Sequence, residues 1–202
     1  MPRFPWVRSV TSSTTSPELA SDVNLCFKDY LLENVYLRTT EGQRAEILAL
    51  WRSEEAGLEE ADSLRRSHEA VFLVRASSSG HLAGVSTVAL VRVKGGQRFY
   101  SYSMFLRKRD RVPNLAVAVC NATRDFLRTF KHPVAQPVGM LNVNENPKLM
   151  RPGMRRLFAR LGFRYWGQTA LGEDVWITDF GEPADPGLKS SAVDATAPGN
   201  GE

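Results

Sequence analysis

The period of apolar and polar positions changes several times along the chain, and each change marks an element. Residues 34–40, Asn-Val-Tyr-Leu-Arg-Thr-Thr, are β-prone and predict a strand. A helical period follows over 41–51, with Ile47, Leu50 and Trp51 on one face and Thr39 or Thr40 placed to cap it. A more polar helix fits 59–66. Residues 70–75 read as a buried strand, stopped by Ser77-Ser78-Ser79-Gly80. Residues 81–93 predict a long strand that ends at the hairpin signal Gly95-Gly96. The next strand spans 99–106, with Tyr100, Tyr102, Met104 and Leu106 on one side and Ser101 and Ser103 on the other.

After Pro113 the period becomes helical. Leu115, Ala118, Val119, Ala122, Phe126 and Phe130 make one apolar stripe, opened by Asn114. A short strand fits 138–143. Met154, Leu157, Phe158 and Leu161 then repeat at i, i+3, i+4, i+7, with Pro152 in the first turn and Gly162 just past the end. Strands over 163–168 and 175–179 close the pattern. The order β-α-α-β-β-β-α-β-α-β-β predicts a mixed α/β fold: a mostly antiparallel sheet flanked by helices, with two strand–helix crossovers after an antiparallel meander.

Composition narrows the class. The chain has 202 residues, 43% hydrophobic and 24% charged, as expected of one globular domain with tails. Ser, Thr and Pro dominate 1–21, which reads as a flexible lead-in. Residues 181–202 have almost nothing to bury and read as a disordered tail, leaving 22–180 as the working domain. No apolar run is long enough to span a bilayer, and the first residues lack the apolar stretch of a signal peptide. A cytoplasmic location with no membrane partner is therefore expected. Two cysteines and three scattered histidines offer no zinc-ligand spacing and no evident His-centred triad, so no metal is expected.

Charge changes the picture more. Residues 1–91 carry nine Lys and Arg against twelve Asp and Glu, whereas 92–164 carry sixteen against three. Residues 165–202 carry one against seven. So basic a middle favours a polyanionic partner: nucleic acid, a phosphorylated cofactor or an acidic protein surface.

Two stretches carry a resemblance to a known family. One is Val138-Gly139-Met140-Leu141-Asn142-Val143-Asn144 followed by Leu157-Phe158-Ala159-Arg160-Leu161-Gly162-Phe163; the other is Arg111-Val112-Pro113-Asn114-Leu115-Ala116. Together with the element order they make residues 34–180 resemble the GNAT superfamily of acyl-CoA-dependent N-acyltransferases. The first stretch is similar to the family's fifth strand and the helix after it, and the second lies where the family has its pyrophosphate loop. The resemblance implies acetyl-CoA or another acyl-CoA as co-substrate and an amine-bearing acceptor, itself anionic in one variant. A helix N-terminus, with its unpaired N–H groups and positive dipole end, suits a pyrophosphate. The cofactor residues so implied are Leu106, Arg107, Arg109, Arg111, Asn114, Leu115, Ala116, Asn146 and Phe158.

Two positions depart from the family pattern. Asn114 stands in place of the loop's first glycine, and Asn tolerates the left-handed backbone better than most residues. Phe158 fills the slot of a tyrosine that protonates the leaving thiolate in many members, and it has no proton to give. Acid–base work then falls to other groups. Glu145 is the one carboxylate between Asp125 and Glu173 and follows the fifth strand, so it is the expected base, with an ion pair to Lys148 or Arg151 as its alternative reading. Tyr165 is placed to replace the missing acid. Tyr102, with Tyr100, is expected at the acceptor pocket, where packing is the other role open to it. Two further functions fit the basicity: a degenerate GNAT-like domain that binds nucleic acid or an acidic partner, and a GNAT-like enzyme that modifies nucleic acid.

Overall fold

The computed structural model describes residues 24–93, 95–144 and 146–181. The expected lead-in over 1–21 and the expected tail, Gly181 apart, lie outside the described residues, as does Glu145. In chain order the elements are β1 (Leu25–Phe27), β2 (Tyr30–Asn34), α1 (Glu41–Ser53), α2 (Glu60–Ser67), β3 (Ala70–Ala76), β4 (Leu82–Arg92) and β5 (Arg98–Leu106). They continue with α3 (Leu115–Thr129), β6 (Gly139–Val143), α4 (Pro152–Arg160), β7 (Arg164–Gln168) and β8 (Asp174–Asp179).

The strands form one sheet in the order β1-β2-β3-β4-β5-β6-β8-β7. Pairing is antiparallel from β1 to β5 and again at β6–β8 and β8–β7; only β5–β6 is parallel. The crossover through α3 makes that parallel pair. The one through α4 carries the chain to the sheet's edge, and β8 then folds back between β6 and β7. α3 and α4 cover one face, where Leu115, Val119, Phe126, Phe158 and Leu161 pack with Tyr100, Tyr102 and Met140. α1 covers the other through Ile47, Leu50 and Trp51, against Leu73 and Val85.

Local signals set most limits. Thr40 and Gln43 cap α1 reciprocally, each side chain bonded to the other's backbone N–H. Gly162 ends α4 in the left-handed conformation, at φ 79°. The first strand, however, sits earlier than the sequence predicts. The ladder runs over Tyr30–Asn34, and the Asn34 side chain then accepts the N–H of Tyr36, while Leu37 turns at φ 60°. Val35 and Tyr36 bury their β-prone side chains from this turn rather than from a strand. The asparagine heading the run was the stop signal.

Beyond α3 the chain buries His132 against the rings of Tyr36, Tyr100 and Phe130. Its Nδ1 accepts the N–H of Val134 at 3.2 Å, and burial, aided by Arg98, holds its pKa below the ordinary imidazole value. The unfolded chain therefore takes up this proton at a higher pH than the folded one. The resulting stability is present above the ordinary value and is lost as pH falls through it toward the folded value. Urea unfolding between pH 7 and 5 should show that decline, and His132→Phe should flatten it; an equal slope in the variant would assign it to other groups.

Candidate active site

The parallel pair β5–β6 is short. Tyr100 pairs with Met140, Ser101 with Leu141 and Tyr102 with Asn142, and there the ladder stops although β5 continues to Leu106. The Asn142 side chain closes the last rung, donating from Nδ2 to the carbonyl of Tyr102 at 3.3 Å. Past it β6 follows β8 instead, with Asn144 N–H bonded to the carbonyl of Asp174. The strands splay, and a cavity of about 330 Å³ opens between them, reached by Trp51, Ser103, Leu106, Arg111, Asn142 and Asn146. Two of these residues each bury a polar atom, Asn142 Oδ1 and Trp51 Nε1, with no hydrogen-bond partner among the described residues.

A second cavity, about 250 Å³, lies on the α1–α2 side of the sheet. Its walls are Arg65, Arg66 and Glu69 from α2 and the joint with β3, and Thr169 and Glu173 from the β7–β8 turn. Its floor carries the hydroxyl residues Thr87, Ser101 and Ser103. Arg65 is held by Asp62 at 2.9 Å and Glu69 at 2.6 Å, and Glu173 accepts the Thr169 hydroxyl at 2.9 Å. Both cavities reach Arg66, Thr87, Ser103 and Val143. They adjoin at the point of splay.

The start of α3 lies beyond the end of β5. Asn114 has φ 67° and its side chain makes no cap bond. The turn before it is braced by Asp110, which is 6% exposed. Asp110 accepts from the Tyr30 hydroxyl at 3.2 Å and from His81 Nε2 at 2.9 Å, and His81 Nδ1 lies 2.7 Å from the Ser79 hydroxyl. Arg107 and Arg109 also face this carboxylate, at 4.0 and 3.8 Å. Arg111 reaches back, its Nε donating to the carbonyl of Leu106 at 3.1 Å.

The implied residues thus separate into groups. Leu106, Arg111 and Asn146 line the splay cavity, and Asn114, Leu115 and Ala116 form the uncapped helix start. The Asn146 side chain accepts the N–H of Lys148. Arg107 and Arg109 turn toward Asp110. Phe158 stacks on Trp176 with ring centres 5.4 Å apart. Tyr102 touches the second cavity, but its ring is buried on the α3 side beside Cys120, where burial raises its pKa well above the ordinary phenol value. Tyr165 sits on β7, half-exposed and edge-on to Trp176. Sequence reasoning missed Glu69, Glu173 and the brace around Asp110. The Ser101–Ser103 alternation was the one visible signal of a polar floor.

No protein-family model matches the chain, and no curated protein matches it by sequence. Among solved structures it is similar to a protein from Bordetella pertussis assigned to the GnaT-family acetyltransferases, at 15% identity with a TM-score of 0.54. That match covers 77% of this chain and 98% of the other. A GCN5-related N-acetyltransferase from Brucella melitensis also matches, at 15% identity and a TM-score of 0.43 over 80% of each chain. The chain has the GNAT fold.

Proposed function

We propose that the chain is an acyl-CoA-dependent N-acyltransferase that moves an acyl group, acetyl in the simplest case, directly from thioester to amine. One observation carries this reading: the splay cavity and the hydroxyl-floored cavity meet at Ser103, and the splay cavity reaches Arg111, three residues before the left-handed N-cap Asn114 of α3, whose side chain makes no cap bond. The amide of Ala116, with Arg111, suits the cofactor's pyrophosphate, whereas the Leu115 N–H is already bonded to the carbonyl of Val112 at 3.2 Å. The splay suits its pantetheine arm, whose amide groups are natural partners for the polar side chains of Asn142 and Asn146 on its wall. Met104 to Leu106 supply backbone donors for the thioester carbonyl.

The acceptor amine enters from the second cavity. It must lose a proton before or during attack; the C–N bond forms, the C–S bond breaks, and the thiolate leaves with a proton from water or a nearby acid. Glu173 on the cavity wall and Glu145, next after β6 in sequence, are the carboxylates offered as base. Phe158 cannot serve as acid, which favours water in the open splay, with Tyr165 as the side-chain alternative. The same phenylalanine favours the second reading, a domain that retains the cleft and has lost the chemistry. Among the described residues no helix is long and apolar enough to cross a membrane, in keeping with the cytoplasmic site we propose.

Thermal unfolding separates the two. Saturating CoA or acetyl-CoA, at about a hundred times its Kd, should add about 2.7 kcal/mol of stability. That corresponds to a rise of roughly 5–10 °C for a domain of this size. Arg111→Ala should weaken CoA binding about tenfold, the loss of one charge-assisted contact. No rise with either ligand overturns the transferase reading. A rise with CoA but no labelled amide from any amine, polyamine, protein or nucleic-acid acceptor selects the degenerate domain.

A further inference from the structure

The solvent side of α4 is built against its own stability. From residue 146 to 172 the chain has six cations and no carboxylate. Arg155 and Arg164 are neutralised from β8, by Asp174 at 2.8 Å and Asp179 at 2.9 Å. Lys148, Arg151, Arg156 and Arg160 are exposed and have no ion-pair partner among the described residues. Arg151 is the N-cap of α4, no side chain caps it, and its first turn holds no acidic residue. Cations at the positive end of a helix dipole are unfavourable there. Arg156 and Arg160 repel as an i, i+4 pair. These charges oppose the helix although Pro152, Arg160 and Gly162 suit its ends, a local conflict of the kind expected where function sets the sequence.

An aromatic ring adjoins this charge. Tyr165 is 47% exposed, rests edge-on against Trp176 at 5.5 Å, and lies 5.9 Å from the Arg155 guanidinium. Its ring is thus held between Trp176 and the Arg155 guanidinium that lies over it, and remains half-exposed. A half-exposed ring beside guanidinium groups is a stacking platform for an unpaired base, and the exposed cations supply phosphate contacts. The exposed α4 positions besides the arginines are Pro152, Gly153 and Ala159, so the face lacks the bulky apolar anchors that a membrane-surface helix uses. A duplex keeps its bases stacked and leaves the ring without a role.

We propose that the outer face of α4, with Lys148, Arg151, Arg156, Arg160 and the ring of Tyr165, binds single-stranded nucleic acid. This goes beyond the transferase reading and does not depend on it, since the acceptor cavity opens on the opposite face of the sheet. Four phosphate contacts on a single strand give a slope of log K against log salt of about −3. Fluorescence anisotropy with a labelled oligothymidylate and the full chain should show saturable binding with that slope.

Arg156→Gln with Arg160→Gln should reduce the slope's magnitude by about 1.4. Tyr165→Ala should weaken binding roughly fivefold or more at an unchanged slope. Circular dichroism and the CoA-induced thermal shift report whether these variants keep the fold and the cleft. Absence of saturable binding at low salt overturns the proposal, as does a slope unaltered in the double glutamine variant with fold and cleft intact. Equal or tighter binding of duplex, of polyglutamate or of anionic vesicles overturns the choice of partner.

Discussion

Asp110→Ala is expected to lower unfolding stability by about 3–5 kcal/mol and to abolish the CoA-induced thermal shift. The magnitude follows from what the carboxylate holds. Hydrogen bonds to a charged group contribute about 1.5–3 kcal/mol each, and Asp110 accepts two, from Tyr30 and His81. Removing it leaves the Tyr30 hydroxyl and one His81 nitrogen without partners in a mostly buried place, with Arg107 and Arg109 facing each other. The functional part follows from position. Arg107 N–H bonds to Ala83, so the chain leaves β5 in a fixed direction, and the Val112 N–H returns to the carbonyl of Asp110. The carboxylate thus ties the turn before Asn114 to β2 and to His81, just before β4. Without that tie the left-handed step into α3 loses its support. Asp110→Asn keeps an acceptor for Tyr30 and gives up the charge, so about half the loss is expected, with the thermal shift diminished rather than absent. Urea unfolding and ligand-dependent melting measure both; an unchanged midpoint in Asp110→Ala would remove the brace from the account.

Which parts of this site could be read from the chain follows the range of the interactions. Asn114 could be placed because a left-handed residue at a helix start is a local matter of backbone sterics, and φ is 67° there. Gly162 and the Thr40–Gln43 cap are local in the same way. The stripe through Met154, Leu157, Phe158 and Leu161 predicts the inner face of α4, since helical period alone decides it. Asp110 was only one acid in a basic run, because its partners lie 80 and 29 residues away in sequence. Glu69 and Glu173 meet one cavity only through the sheet order, which brings the β7–β8 turn over β4 and β5. Tyr100 and Tyr102 share a face as their period requires, yet period cannot say which face meets α3 and which meets the cavities. The sequence order of elements also omitted β1, three residues long and too short for any period to register.

Arg155→Met should cost about 3 kcal/mol, the second largest loss expected from one side chain. Asp174 is fully buried at the first position of β8, where its backbone joins β6 and β7. One carboxylate oxygen accepts from Arg155 Nε at 2.9 Å and Nη2 at 2.8 Å, and the other accepts from Gln168 at 3.2 Å. Breaking a buried pair by removing one partner typically costs 3–5 kcal/mol, because the remaining charge stays desolvated. Arg155 is 46% exposed, so its loss admits water, and the lower end of that range applies. The penalty belongs to the stranded charge rather than to the lost attraction. Adding Asp174→Asn to Arg155→Met should therefore recover stability, since the amide still accepts from Gln168 and carries no charge. In urea unfolding the double variant should be more stable than Arg155→Met alone. If it is less stable, the Asp174 carboxylate stabilises the closing strands through partners other than Arg155, and desolvation of its charge is the wrong cause.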